Sequence, residues 1–351
     1  MKTKLAIIGD RFMRAEEFRQ AIAVQCGDVF DVTLHELPWP DEPMEHGYAR
    51  AGIEGLKEYQ GTAEMVVDLA SSAKVLVTQL APLSASVFAA LPELELVVVS
   101  RGGPVNVDLR AAHDHDVTIV NTPGRNSSAV AEFTIGAILA ETRLMTRGHD
   151  ALRKGIYRGD LYRSDVIGDE LIDLTVGVVG YGTVGRLVVK LLKAFEGKIL
   201  VSDPYASLSP EDRKHPNVSL ASLDELLKRS HVVTLHPRVT PETVGMMNAE
   251  AFSLMRPGAV FVNTARGPLV DYEALLHALR SGRLGGAMLD TYSVEPVPPD
   301  SPLLQIPNVT LAPHIAGASY RTIRTAARAA ALEIRSWIEG KPPTNRCWPP
   351  T

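Results

Sequence analysis

A glycine turn caught between a strand and a helix constrains this chain more than any other feature. Residues 176 to 188 read VGVVGYGTVGRLV and set Gly180, Gly182 and Gly185 in a G-x-G-x-x-G spacing. The spacing alone is common, so its flanks decide what it means. Thr175 to Val179 is an apolar run of strand character, and Val184, Leu187, Val188, Leu191 and Leu192 recur behind the glycines at helical intervals. A strand-turn-helix of this kind uses each glycine: Gly180 for the tight turn, Gly182 for close approach to a pyrophosphate, Gly185 for packing of helix on strand. The helix N-terminus adds unpaired N–H groups and positive partial charge. The next predicted strand, KILVSD, ends at Asp203, about twenty residues past the glycines, where an acid holds the ribose hydroxyls of NAD. NADP calls for a cation there, and none follows in PYASL.

The chain around this turn has 351 residues, longer than one average domain, which favours two. Its 45 % hydrophobic and 22 % charged residues have the balance of a soluble globular protein rather than a disordered or fibrous one. A net charge of −5 argues against nucleic acid as a principal partner, because a phosphate-binding face needs a basic excess. Two cysteines, Cys26 and Cys347, are too few for a disulfide framework or a metal-ligand cluster, so no metal is expected and a reducing cytoplasm fits. The opening MKTKLAIIGDRFM has too short an apolar run for a signal peptide, and no stretch approaches membrane-spanning length. The expectation is a soluble, cytoplasmic protein.

From residue 175 onward, six short β-rich runs alternate with helical patterns: VGVVG, KILVSD, HVVTLH, AVFVNTA, GGAMLD and VTLAPH. This alternation predicts a doubly wound parallel sheet, a Rossmann domain, over residues 126–316. Ser222 with Glu225 forms a capping box, and DYEALLHALRSG stops at Gly282. An earlier set, KLAIIGD, DVTLHEL, KVLVTQL, LELVVVS and VTIVNT, predicts a second, smaller parallel sheet. Residues 1–125 with 317–351 are assigned to it as a flavodoxin-like substrate domain, and a cleft between the two domains is the expected active site. The seam is NTPGRNSSAVAEFTIGAILAETR, apolar on nearly every face and expected to lie between domains. After His314 comes one long helix, ASYRTIRTAARAAALEIRSWIEG, with no further regulatory domain expected.

Ligands of such sheets bind at the C-terminal strand ends. Three chemically capable residues fall there: Arg266 after AVFVNTA, Glu295 beyond GGAMLD, and His314 closing VTLAPH. The segments that carry them, NTARGPLVD, LDTYSVEP and APHIAGAS, resemble the three signature segments of the D-isomer-specific 2-hydroxy acid dehydrogenases. That family includes phosphoglycerate, glyoxylate/hydroxypyruvate and D-lactate dehydrogenases. The similarity extends over nearly the whole chain, including GDEL before the nucleotide strand and LHPRVTPET after His231.

The resemblance implies an NAD-dependent oxidoreductase and a homodimer. It implies that Arg266 binds the substrate carboxylate, that His314 exchanges the hydroxyl proton, and that Glu295 pairs with His314. It further places Thr183 and Val184 at the pyrophosphate, Asp203 at the adenosine ribose, Thr264, Ala265 and Asp290 on the nicotinamide side, and Gly317 in the loop after the histidine. The chemistry agrees: loss of hydride from a carbinol requires loss of the hydroxyl proton, and histidine is the base suited to neutral pH. A carboxylate orients the ring and favours its protonated form, and arginine offers a planar fork to an acid.

Two segments depart from the family pattern. The loop that usually presents backbone N–H groups to the substrate reads SRGGPVNVD, so Gly102 and Gly103 keep their amides, Pro104 has none, and Arg101 adds a cation that could read a second polar part of the substrate. In LHPRVT the order around Pro237 and Arg238 is unusual, which touches the cofactor contact expected of His236. A competing reading on the same fold is an NADH-sensing binding protein like the family's corepressors. A methyltransferase using the glycine turn would leave all three strand-end residues unexplained.

Overall fold

The computed structural model describes residues 2–38 and 55–349. The chain folds into two α/β units, Met1–Asn126 joined by Ser319–Thr351, and Ser127–Ala318.

The first unit is built on five parallel strands, β1 Thr3–Gly9, β2 Phe30–Glu36, β3 Val75–Thr78, β4 Leu96–Val99 and β5 Thr118–Asn121. Their order is β2-β1-β3-β4-β5, the flavodoxin-like order expected of the smaller sheet. The strands β3 and β4 are buried on both faces, which is why they read as unbroken runs, VLVT and LVVV, rather than as alternation. One face is covered by the helices Ala15–Cys26 and Tyr320–Ile338, the latter contributing Ala326, Ala327, Ala330, Ala331 and Ile334 to the core. Small side chains at these positions let the two helices approach closely. Thus the last helix of the chain returns to complete the first unit.

The second unit has seven parallel strands: β6 Thr175–Val179, β7 Lys198–Ser202, β8 Val218–Leu220, β9 Val232–Leu235, β10 Ala259–Asn263, β11 Leu284–Leu289 and β12 Val309–Leu311. Their order, β12-β11-β10-β9-β6-β7-β8, winds outward in both directions from β6 and β9. The crevice at that reversal is where a dinucleotide sits in such sheets. Six of these strands were legible as apolar runs. The seventh, β8, is a three-residue edge strand with two exposed positions, too short to leave a periodic signal. Ser222 accepts from the Glu225 amide at 3.2 Å, so the expected helix cap forms.

The long apolar helix, Ser127–Thr142, is accounted for within its own unit. Val130, Ala131, Thr134, Ala137 and Ile138 are buried, and Phe133, Ile135 and Leu139 pack on the same core as the helix Thr183–Leu192. These side chains pack within the second unit. At its C-terminal end Glu141 is buried, accepts a hydrogen bond from Thr310 on β12, and pairs with Arg147 at 3.3 Å. Arg147 in turn donates to the Gly285 carbonyl at 2.8 Å, so three side chains pin this helix end to the sheet.

Burial pushes the Glu141 carboxyl above its ordinary value, against the partial support of Thr310 and Arg147. The folded unit therefore keeps this proton to higher pH than the unfolded chain does. Its contribution to stability is complete below the ordinary carboxylate range and is lost as pH rises through the elevated one. Glu141→Gln cannot ionise, so urea unfolding from mildly acidic to neutral pH should show the wild type losing stability relative to the variant. Parallel curves would rule this linkage out.

Candidate active site

The glycine turn forms as its spacing demands. Gly180 follows β6 at φ +89°, a conformation open to glycine, and a Cβ there would press into the His236–Pro237 backbone. Gly185 lies directly against the Gly180 carbonyl, while the space above Gly182 is open. Thr183 and Val184 start the helix, Thr183 exposed and Val184 turned toward the core. Beside the turn lies a cavity of about 590 Å³ lined by Tyr181, Gly182, Thr183, Arg186, Leu187, Asp203, Tyr205 and Ala206. Asp203 accepts from the Tyr181 amide at 2.7 Å and the Tyr205 amide at 2.9 Å. A carboxylate has about four lone-pair sites, so both oxygens retain capacity for ribose hydroxyls. An open turn, a helix N-terminus and an acid on one cavity wall fit an adenine dinucleotide.

His236, at the end of β9, has a different environment. Burial pushes its ring down to about 3, so it is neutral. Its Nε2 lies 3.1 Å from the Thr234 hydroxyl, and its Nδ1 is buried without a partner among the described residues. Its amide donates to the Val179 carbonyl at 2.8 Å, which holds the end of β9 beside the glycine turn.

Beyond the ends of β10, β11 and β12, Arg266, Glu295 and His314 come together with Asp290. Glu295 spans two loops: one carboxylate oxygen accepts from the Tyr292 amide and the other contacts His314 Nδ1, both at 2.7 Å. His314 has φ +54° and follows β12 in a tight turn. That turn is held by Asp290, whose two oxygens accept from the Ile315 and Ala316 amides at 2.8 and 2.9 Å. Burial pushes the Asp290 carboxyl up, while the two amides oppose the shift. Tyr292 adds a further tie, its hydroxyl donating to the Ala312 carbonyl at 2.9 Å.

Arg266 stands in extended backbone after β10, with one guanidinium nitrogen donating to the Ala265 carbonyl at 2.7 Å. The surrounding protein disfavours its charge, and the carboxylates of Glu295 and Asp290 favour it. The next residue, Gly267, abuts the Tyr292 carbonyl so closely that a Cβ would overlap it. This contact brings the Arg266 loop against the Glu295 loop. Thr264 is buried beneath them, hydroxyl to hydroxyl with Thr134 at 2.8 Å, and Gly317 is half-buried just beyond Ala316. Sequence reasoning missed Gly267, Tyr292 and Thr134, whose roles lie in loop contacts rather than in a strand-end motif. It also missed Arg186 and Tyr205 on the cavity wall.

In the first unit the loop after β4 carries Arg101, Gly102 and Gly103. Both glycines are exposed, and the Gly102 carbonyl accepts from Asn121 at 2.8 Å. The Arg101 guanidinium pairs with the Glu58 carboxylate and donates to the Glu58 carbonyl at 2.7 Å. Arg101 thus fastens the segment around Glu58 to this loop. Among the described residues no cluster of histidine, cysteine or carboxylate side chains could hold a metal, and no helix is long and apolar enough to cross a membrane.

Residues 135–316 match the family model of the D-isomer specific 2-hydroxyacid dehydrogenase NAD binding domain. YoaD of Bacillus subtilis (strain 168) is 40% identical over 285 residues, 79% of this chain and 81% of its own. A glyoxylate reductase of Thermofilum pendens (strain DSM 2475 / Hrk 5) is 37% identical over 74% of this chain and 77% of its own. The structure of a D-2-hydroxyisocaproate dehydrogenase superposes with a TM-score of 0.81 at 26% identity, over 98% of this chain and 99% of that one. A double sheet with a dinucleotide crevice and an Arg, Glu, His cluster defines a nucleotide-dependent oxidoreductase. The chain belongs to the D-isomer-specific 2-hydroxyacid dehydrogenase family, whose cofactor is NAD.

The contact at Gly267 can be tested directly. Gly267→Ala should separate the Arg266 and Glu295 loops and lower turnover about a hundredfold, the effect of a misplacement of about 1 Å. NADH affinity, measured by fluorescence titration, should change little, since the glycine turn is untouched. Full turnover in Gly267→Ala would remove this contact from the account.

Proposed function

We propose that the protein interconverts a D-2-hydroxy acid and its 2-keto acid, with Arg266, Glu295 and His314 as the reacting groups. The observation that carries this reading is the 2.7 Å contact between Glu295 and His314 Nδ1, in a cluster whose carboxylates also face Arg266. NAD supplies the hydride acceptor in oxidation and, as NADH, the donor in reduction. Arg266 binds the substrate carboxylate with its planar fork and polarises the adjacent carbonyl. In reduction the carbonyl oxygen gains its proton from Nε2 of protonated His314 as the carbon gains hydride. In oxidation the neutral ring takes the hydroxyl proton. Glu295 fixes the ring through Nδ1, so Nε2 is the nitrogen presented for exchange.

On the dinucleotide side, Gly180, Gly182, Thr183, Val184 and Gly185 form the pyrophosphate turn, and Asp203 takes the ribose. Thr264, Ala265, Asp290 and Gly317 shape the nicotinamide end, and His236 supports the turn from β9. Gly102 and Gly103 offer amides to a substrate carboxylate. Arg101, already shared with Glu58, shapes that loop rather than lending an unshared cation to a second anionic group. This favours a substrate whose only anion is its carboxylate, such as glyoxylate or hydroxypyruvate.

The test is NADH-dependent reduction of these keto acids. His314→Ala should cost about a hundredfold or more in turnover with NADH binding intact. Glu295→Gln keeps the size of the side chain but removes the charged partner of Nδ1, so turnover should fall while NADH affinity is unchanged. Full turnover in Glu295→Gln would separate Glu295 from His314. NADH binding with no turnover on any 2-keto acid would overturn the catalytic reading.

A homodimer belongs to the same proposal. Its support is a run of exposed apolar side chains after the long helix: Met145, Leu152, Ile156, Tyr157, Tyr162 and Ile167. A second copy covering this run would give a dimer mass by light scattering at micromolar concentration, and Ile156→Asp with Tyr157→Ser should lower it toward the monomer. A monomeric wild type would remove the dimer.

A further inference from the structure

The cofactor cavity holds a cation that no sequence signal announced. Arg186, one turn into the helix Thr183–Leu192, lies with its guanidinium carbon 4.3 Å from the centre of the Tyr181 ring. It lines the same cavity as Gly182, Thr183, Asp203 and Tyr205. Among the described residues it has no ion-pair partner, and each Asp203 oxygen accepts one backbone amide, from Tyr181 and from Tyr205. A guanidinium over an aromatic face keeps N–H groups available to an anion.

The platform beneath it is fixed. Tyr181 is buried, and its hydroxyl is hydrogen-bonded to Asp212. The other Asp212 oxygen lies 2.7 Å from Lys193 Nζ. Arg186 is therefore presented from a ring held at its hydroxyl and packed in the core, on a cavity wall that also carries Asp203.

We propose that Arg186 is a specificity-determining cofactor residue: it offers the cavity a phosphate anchor that opposes the selectivity for NAD already expected of Asp203. Asp203 repels a 2′-phosphate by like charge and accepts from the hydroxyls that NAD presents instead. Arg186 attracts that same phosphate. With NAD, which lacks it, Arg186 acts on the diphosphate through charge alone. The two side chains thus oppose one another over a single substituent.

The test is fluorescence titration of the protein with NADH and with NADPH at low and high salt, a binding measurement independent of substrate and turnover. In the natural chain NADH should bind more tightly than NADPH. Asp203→Ser should gain NADPH affinity by about tenfold, the scale of one charge-assisted hydrogen bond. That gain should fade in high salt and vanish in the Asp203→Ser, Arg186→Gln double variant. A gain that survives the loss of Arg186 would overturn the proposal. Asp203→Ser also gives up two backbone hydrogen bonds, so Arg186→Gln alone, which leaves them intact, provides the second arm. It should weaken NADPH about tenfold and NADH only about twofold. Equal losses for the two cofactors would reject Arg186 as a determinant whatever the fate of the Asp203 variant.

Discussion

The grip of Asp290 on the turn after β12 is the interaction on which the arrangement of Arg266, Glu295 and His314 depends. A carboxylate at the end of one strand accepts two consecutive amides from the loop of its neighbour, Ile315 and Ala316. Consecutive N–H groups can converge on one acid only if the backbone turns sharply, and His314 at φ +54° is where it turns. A non-glycine residue in the left-handed region carries strain that the surrounding contacts must offset. Here the Asp290 bonds, the Tyr292 hydroxyl and the Glu295 carboxylate all act on the same short segment. The imidazole is consequently held from its backbone and from its ring.

Buried acid is costly, and this site uses it in a graded way. Asp290 is almost fully buried and has its charge disfavoured, so it acts through geometry, as an acceptor for fixed amides. Glu295, nearer the surface, faces both the amide of Tyr292 and the ring of His314. Arg266 feels both carboxylates. Its guanidinium is also held by the Ala265 carbonyl, so the side chain is oriented by the backbone that carries it. Orientation fixed beforehand lowers the entropic cost of each encounter.

Much of this was legible in the sequence because strand ends are legible. Buried parallel strands leave unbroken apolar runs, and the polar residue that closes each run marks the C-terminal edge where chemistry belongs. Arg266 and His314 fall close behind such runs, whereas Glu295 lies further along, past the Asp290 that closes β11. The edge strand β8 does not, having three residues and one buried position. The Arg101–Glu58 pair joins residues far apart in sequence and is invisible to spacing. The role of Gly267 depends on the distance between two loops, which no periodicity encodes. Arg186 was hidden for a simpler reason: the rule for cofactor choice directs attention to the residues after the second strand, and here the cation comes from the helix.

Tyr181 shows how a turn made of glycines can nevertheless be stiff. Glycine gives the backbone the shape that a phosphate needs, but it also gives freedom that must be lost on binding. The residue between the first two glycines removes that freedom. Its amide is tied to Asp203, its hydroxyl to Asp212, and its ring is buried in the same core as Val178 and Val188. Asp212 is itself anchored by Lys193 and by its own amide on Ser209. The turn is thus ordered by the ring, hydroxyl and amide of Tyr181, while the first N–H groups of the helix that begins at Thr183 have no carbonyl of their own helix to meet. Substituting this tyrosine by phenylalanine would keep the packing and release only the hydroxyl, leaving Asp212 with an unpaired lone pair in a buried setting. The cost would then be paid in both fold and cofactor affinity, because in this unit the same residue secures each.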